Sequence, residues 1–202
     1  MAGPSVKTNR TINGSAGIGK GQRPSSPVEA LLRQYVTTEE EEQIIRQFQL
    51  ACIPGRQVLW TGMFRNQAQK WADDHGMQTL TTAMGSLMDP KDPECPQHFK
   101  TGKAWSKYIH GASAVFAWFI SGGDLVTVLS QPPPVRFNPS QGSSYQTIEE
   151  PIIMGKTGIS NLRRIQLVHP TVTEAANVTY QMWPVDQADL WKEKRSRAAR
   201  KC

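Results

Sequence analysis

Residues 103–129, KAWSKYIHGASAVFAWFISGGDLVTVL, set the fold class of this 202-residue chain. In the first part, Trp105, Ile109, Ala112, Phe116 and Phe119 recur at three-to-four spacing, the signature of a helix with one buried face. Gly122-Gly123 stops it, and Leu125-Val126-Thr127-Val128-Leu129 follows as a short aliphatic and β-branched run that reads as a strand. A long helix over Lys103 to Ser121 that turns directly into a strand is a joint of an α+β, α/β-like body.

Helical patterns dominate upstream. Val28, Leu31, Leu32 and Tyr35 share a face, and Thr37 or Thr38 with Glu40 or Glu41 makes a capping-box start for a helix through Ile44, Ile45 and Phe48. After Pro54-Gly55 a brief apolar run ends on Trp60. Asn66 to His75 then reads as a helix closed by Gly76, and Thr79 to Met88 as another. Asp89 to Thr101 is expected as a surface loop. Downstream, a triple-proline break at 132–134 precedes a β-like segment from Tyr145 to Ile153 and a strand over Arg164 to Val168. The expected fold is a helical N-terminal part followed by a small, mainly parallel sheet flanked by helices. Residues 1–27 are expected to be disordered, 28–185 to form a single domain, and 186–202 to be a basic C-terminal helix or tail.

Composition narrows the function classes. Cys52, Cys95 and Cys202 are too few for a disulfide framework and suit a reducing compartment. The N-terminus lacks a charged-then-apolar leader pattern, and the apolar stretch Gly111 to Ile120 is shorter than the roughly 20 residues that span a bilayer. A cytoplasmic protein without a transmembrane segment is therefore expected. The net charge of +6 sits in the tails: residues 1–27 carry Lys7, Arg10, Lys20 and Arg23 without an acid, and residues 192–201 carry six bases against Glu193. The body is slightly acidic, so nucleic-acid binding is not expected. Gly14 to Gly21 nearly spells a phosphate-binding loop, but Gly21 replaces the required hydroxyl residue and no strand precedes it. Cys95-Pro96-Gln97-His98 offers two metal ligands without a second paired motif, and no metal is expected.

The segment Ser143-Ser144-Tyr145-Gln146-Thr147-Ile148-Glu149-Glu150-Pro151 is the site candidate. Two carboxylates beside Ile148, Ile152 and Ile153 lie close to apolar surface, where burial is costly unless partners offset it. Strand alternation would send Glu149 and Glu150 to opposite faces, so that one of them enters a cleft.

The order of these pieces resembles the ADP-ribosyl cyclase family of NAD-consuming enzymes, over about Pro54 to His169. The matching elements are Leu59-Trp60-Thr61, Thr79-Leu80 leading to Gly85, Ala104-Trp105 opening the long helix, the Leu125 to Leu129 strand, and Ser143-Ser144-Tyr145 leading to Glu149. The resemblance implies that Glu149 is the catalytic glutamate, that Trp60 and Trp105 bracket the nicotinamide end of the substrate, and that Ser144 helps to hold phosphate. Thr61, Tyr145, Thr81 and Arg65 complete the expected substrate contacts. Without the resemblance, core packing accounts for both tryptophans. The chain also departs from the family pattern. Thr81-Thr82 stands where an acid commonly follows Thr-Leu, Gly62 stands where some members place an arginine, and the disulfides of secreted members are absent. Arg65, one helical turn on, is the expected substitute for that arginine.

The resulting expectation is an NAD glycohydrolase or ADP-ribosyl cyclase that takes NAD as its small-molecule substrate and needs no cofactor, with a homodimer left open. The alternatives are a catalytically weak or inactive module that binds NAD or ADP-ribose, and an ADP-ribosyltransferase.

Overall fold

In the computed structural model, which describes residues 26–133, 135–136, 142–173, 176 and 178–200, β1 (Val58–Trp60), β2 (Leu125–Leu129), β3 (Arg164–Val168) and β4 (Tyr180–Trp183) form one open sheet in that order. The first three strands are parallel, with Trp60 opposite Leu129 and Leu129 opposite Val168. β4 is antiparallel to β3, with a register shift between Ile165 and Gln166. Seven α-helices among the described residues complete a mixed α/β body.

Side-chain alternation along the strands divides the core. Leu59, Val126, Val128, Ile165 and Leu167 face a large cluster built by α1 (Ser26–Leu32), α2 (Thr38–Ala51), α5 (Gly102–Ser121) and α6 (Glu150–Ile153). Val58, Leu129 and Val168 face a smaller cluster with Ala68 and Ala72 of α3 (Arg65–Asp74). Helices thus cover both faces, as parallel strands require. The capping box at the start of α2 uses Thr37 and Glu40: the Thr37 hydroxyl accepts from the Glu40 amide at 3.3 Å, and the Glu40 carboxylate accepts from the Thr37 amide at 3.0 Å. Gly111 lets Val36 press against α5, since a Cβ there would lie 2.5 Å from the Val36 Cγ1.

The structure departs from the sequence expectation in four places. Residues 145–153, expected as a β-like run, are helical: a π-helix over Tyr145–Glu149 continues into α6. The expected helix Thr79 to Met88 is shorter, with α4 (Leu80–Met84) passing into a 3₁₀ turn from Gly85 to Met88. β4 was not foreseen, because Tyr180-Gln181-Met182-Trp183 is too short to show alternation. The basic C-terminal segment forms a helix, α7 (Ala188–Ala199), one of the two forms expected, but it belongs to the body: Trp191, only 1% exposed, joins the core and packs edge-on against His169. Residues 1–25, including the glycine run 14–21, and Cys202 lie outside the described residues. No helix among the described residues is long and apolar enough to cross a membrane.

Candidate active site

β1 and β2 end together at Trp60 and Leu129, and the Thr61 amide extends the pairing by donating to the Leu129 carbonyl at 2.9 Å. The chain then leaves β1 through Gly62, whose φ of +66° favours glycine, and enters α3 at Arg65. That left-handed turn explains why Gly62 cannot readily be an arginine. Crevices for ligands form at the carboxyl ends of such strands, and a cavity of about 730 Å³ opens here.

Glu149 stands at its closed end. It is 6% exposed and hydrogen-bonded to Ser113 of α5. Burial pushes its carboxyl up to about 7, and the Ser113 hydrogen bond opposes that rise. Ile109, Ser113 and Phe116, at i, i+4 and i+7 on one face of α5, supply the helical wall behind it.

The π-helix aims this carboxyl. The Glu150 amide donates to the Tyr145 carbonyl, five residues back, where an α-helix would use four. Pro151 gives this wide turn a cause: its ring would crowd the carbonyl of Thr147 in a regular α-turn. Glu149 therefore faces the cavity, whereas the half-buried Glu150 pairs with the Tyr145 hydroxyl and lies in the field of Lys156 and Arg136. One acid enters the cleft, by helical rotation rather than by strand alternation.

Hydroxyls line the next part of the wall. The Thr61 hydroxyl, 2% exposed, donates to Ser143 Oγ at 3.0 Å, and Ser143 donates to Gln146 Oε1 at 3.1 Å. The Ser143 oxygen also accepts from the Gln146 amide at 3.3 Å, which fixes the start of the π-helix. Ser144 and Tyr145 line the same wall, and Thr81 of α4 lines the wall contributed by that helix. Arg65 is exposed and has no carboxylate partner among the described residues. It is the single cation lining the cavity, as Glu149 is the single acid, among the described residues.

Seven of the eight sequence-predicted residues are thus brought together: Trp60, Thr61, Arg65, Thr81, Ser144, Tyr145 and Glu149. Trp105 is not among the lining residues. It stacks on Tyr108 with centroids 5.5 Å apart and planes 17° apart, one turn before the cavity-lining Ile109. Cys95 and His98 do not converge: the buried Cys95 thiol points to the Leu87 carbonyl at 3.6 Å, and His98 bonds the Asp92 carbonyl at 3.1 Å.

Compared with known proteins, the chain matches no family model and no curated protein.

Sequence reasoning missed Ser113 and Gln131. Ser113 carried a usable signal, a hydroxyl inside the apolar stretch 111–120 and in phase with Ile109 and Phe116. Gln131 carried none, because it looks like the first residue of a proline-rich loop.

Proposed function

We propose that the chain cleaves the bond between nicotinamide and ribose in NAD, releasing nicotinamide and passing the ADP-ribosyl group to water or to the adenine of the same molecule. The observation that carries this reading is a lone buried carboxylate in a cavity whose other polar lining is hydroxyls and the carboxamides of Gln67 and Gln131, with Trp60 at its side and Arg65 at its rim. The volume of about 730 Å³ suits a nucleotide-sized ligand.

In the reaction the C–N glycosidic bond breaks heterolytically, and its electron pair goes to the pyridine nitrogen, so nicotinamide leaves neutral. The ribosyl centre becomes an oxocarbenium-like cation, which the ionised Glu149 stabilises electrostatically. Water then forms the new C–O bond and loses its proton, or an adenine nitrogen closes the ring. Burial holds the Glu149 carboxyl up at about 7, against the Ser113 hydrogen bond. A pyridinium cation brought beside it favours the carboxylate, so substrate binding itself completes the ionisation. Trp60 offers an aromatic face to that cation, worth about 0.5–2 kcal/mol.

The test is chromatography of NAD incubated with the purified protein and with Glu149→Gln and Glu150→Gln. Nicotinamide release that falls on the order of 10²–10³ in Glu149→Gln and stays near wild type in Glu150→Gln supports the reading. Equal release by Glu149→Gln and wild type overturns it. Intact NAD together with a ligand-raised Tm would instead identify a binding module.

A further inference from the structure

Most polar groups on the cavity wall are already engaged. Thr61 and Ser143 bond each other, Ser113 bonds Glu149, and the Gln67 carboxamide accepts from the Phe64 amide at 3.2 Å as part of the cap of α3. Thr81, Ser144 and Gln131 line the cavity without a side-chain hydrogen bond among the described residues, and of the three only the half-buried Gln131 carries a planar carboxamide. A carboxamide left so can be satisfied by a ligand that offers both a donor and an acceptor.

Its position says which part of a ligand it meets. Gln131 lies two residues past Leu129, the register partner of Trp60, so it caps the strand end beside Trp60. Neighbouring strands are about 4.8 Å apart. Trp60 and Gln131 thus line the cavity from the adjoining ends of β1 and β2, within reach of one flat ring.

We propose that Gln131 is a specificity-determining residue that reads the carboxamide of the pyridinium ring, an inference that rests on the NAD-cleaving reading above. The Gln131 amide donates to the ring carboxamide oxygen while its carbonyl accepts from the ring carboxamide N–H. A ring carboxylate still accepts from the Gln131 amide but cannot donate to its carbonyl, against which it sets an oxygen, and it adds a second negative charge to a cavity that already holds Glu149. The site thus selects amide over acid at the leaving base.

The experiment compares kcat/KM for three dinucleotides: NAD, its nicotinic-acid analogue, and its analogue with hypoxanthine in place of adenine. Wild type is expected to prefer NAD over the acid analogue by about 2- to 10-fold, the range for the net worth of one hydrogen bond at a half-buried site. Gln131→Ala should erase that preference by lowering the NAD value, and should affect NAD and the hypoxanthine analogue by the same factor. Gln131→Met, of similar length without amide atoms, gives a second variant should the alanine form fold poorly. An unchanged ratio of NAD to acid analogue overturns the proposal, as does a change confined to the hypoxanthine analogue. If wild type releases no base from any of the three, the cleavage reading fails by itself, and the same dinucleotides are compared by thermal shift. A stabilisation by NAD over the acid analogue that is lost in Gln131→Ala still supports the role of Gln131. Equal shifts, or none, overturn it.

Discussion

Ser113, midway along α5, hydrogen-bonds the carboxyl group of Glu149 at the closed end of the cavity, and this contact favours the ionised form against the pull of burial. Removing it should raise the Glu149 pKa further. In Ser113→Ala the acid limb of the kcat/KM profile for nicotinamide release is expected to move to higher pH, with a loss of about fivefold at pH 7 if the shift is one unit. A pH series on wild type and Ser113→Ala checks this, and rates that converge at high pH would separate it from general damage.

The same burial ties stability to pH. The Glu149 carboxyl rises from an ordinary 4.5 to about 7 on folding, so between those values the folded chain binds more protons than the unfolded one. Stability is then greatest below the lower value and declines as pH rises through about 7, by an amount on the order of 3 kcal/mol. Glu149→Gln cannot ionise and is expected to lose this slope and to be the more stable protein at pH 8. Urea unfolding of both forms at pH 5 and pH 8 gives the comparison.

The two tryptophans should separate experimentally. Trp60 lines the cavity, so Trp60→Ala is expected to raise KM for NAD by about 2- to 30-fold, the span of one cation–π contact. Trp105 stacks on Tyr108 outside the lining, so Trp105→Ala should act on the fold and lower unfolding stability by about 2 kcal/mol. Steady-state kinetics beside thermal melts would reverse this assignment if Trp105→Ala gave the larger change in KM.

Arg65 stands at the rim, exposed and without a carboxylate partner among the described residues. An exposed cation attracts the doubly negative pyrophosphate of NAD through a field that salt screens within about 8–10 Å. Arg65→Ala is expected to raise KM for NAD by about tenfold at low ionic strength and to flatten its dependence on salt. KM measured at two salt concentrations tests both effects.

Where hydrophobic periodicity was long, it located the elements closely. The stripe on α5 and the Leu125 to Leu129 and Arg164 to Val168 runs carried enough alternation or repeat to fix type and ends within a residue or two. The Thr37 and Glu40 capping box could be narrowed but not chosen, because Thr38 and Glu41 offer the same chemistry one step on. The segment from Tyr145 to Ile153 misled for a physical reason. Its isoleucines and tyrosine have high strand preference, and only packing of Ile148, Ile152 and Ile153 into the helical core decides otherwise. The candidate site was legible as clusters near Trp60 and Glu149. Ser113 left a signal only in its phase with Ile109 and Phe116, and Gln131 left none, since its relevance comes from the end of β2 meeting those clusters in space.

The π-helix has a consequence for heredity. Such a turn accommodates one residue more than the regular helix around it. Loss of a single codon between Tyr145 and Glu149 would restore ordinary winding and change the spacing of Ser143 and Glu149 on the cavity wall while leaving the neighbouring strands in place. A lineage could therefore switch this site off, or back on, by one small indel without rebuilding the fold.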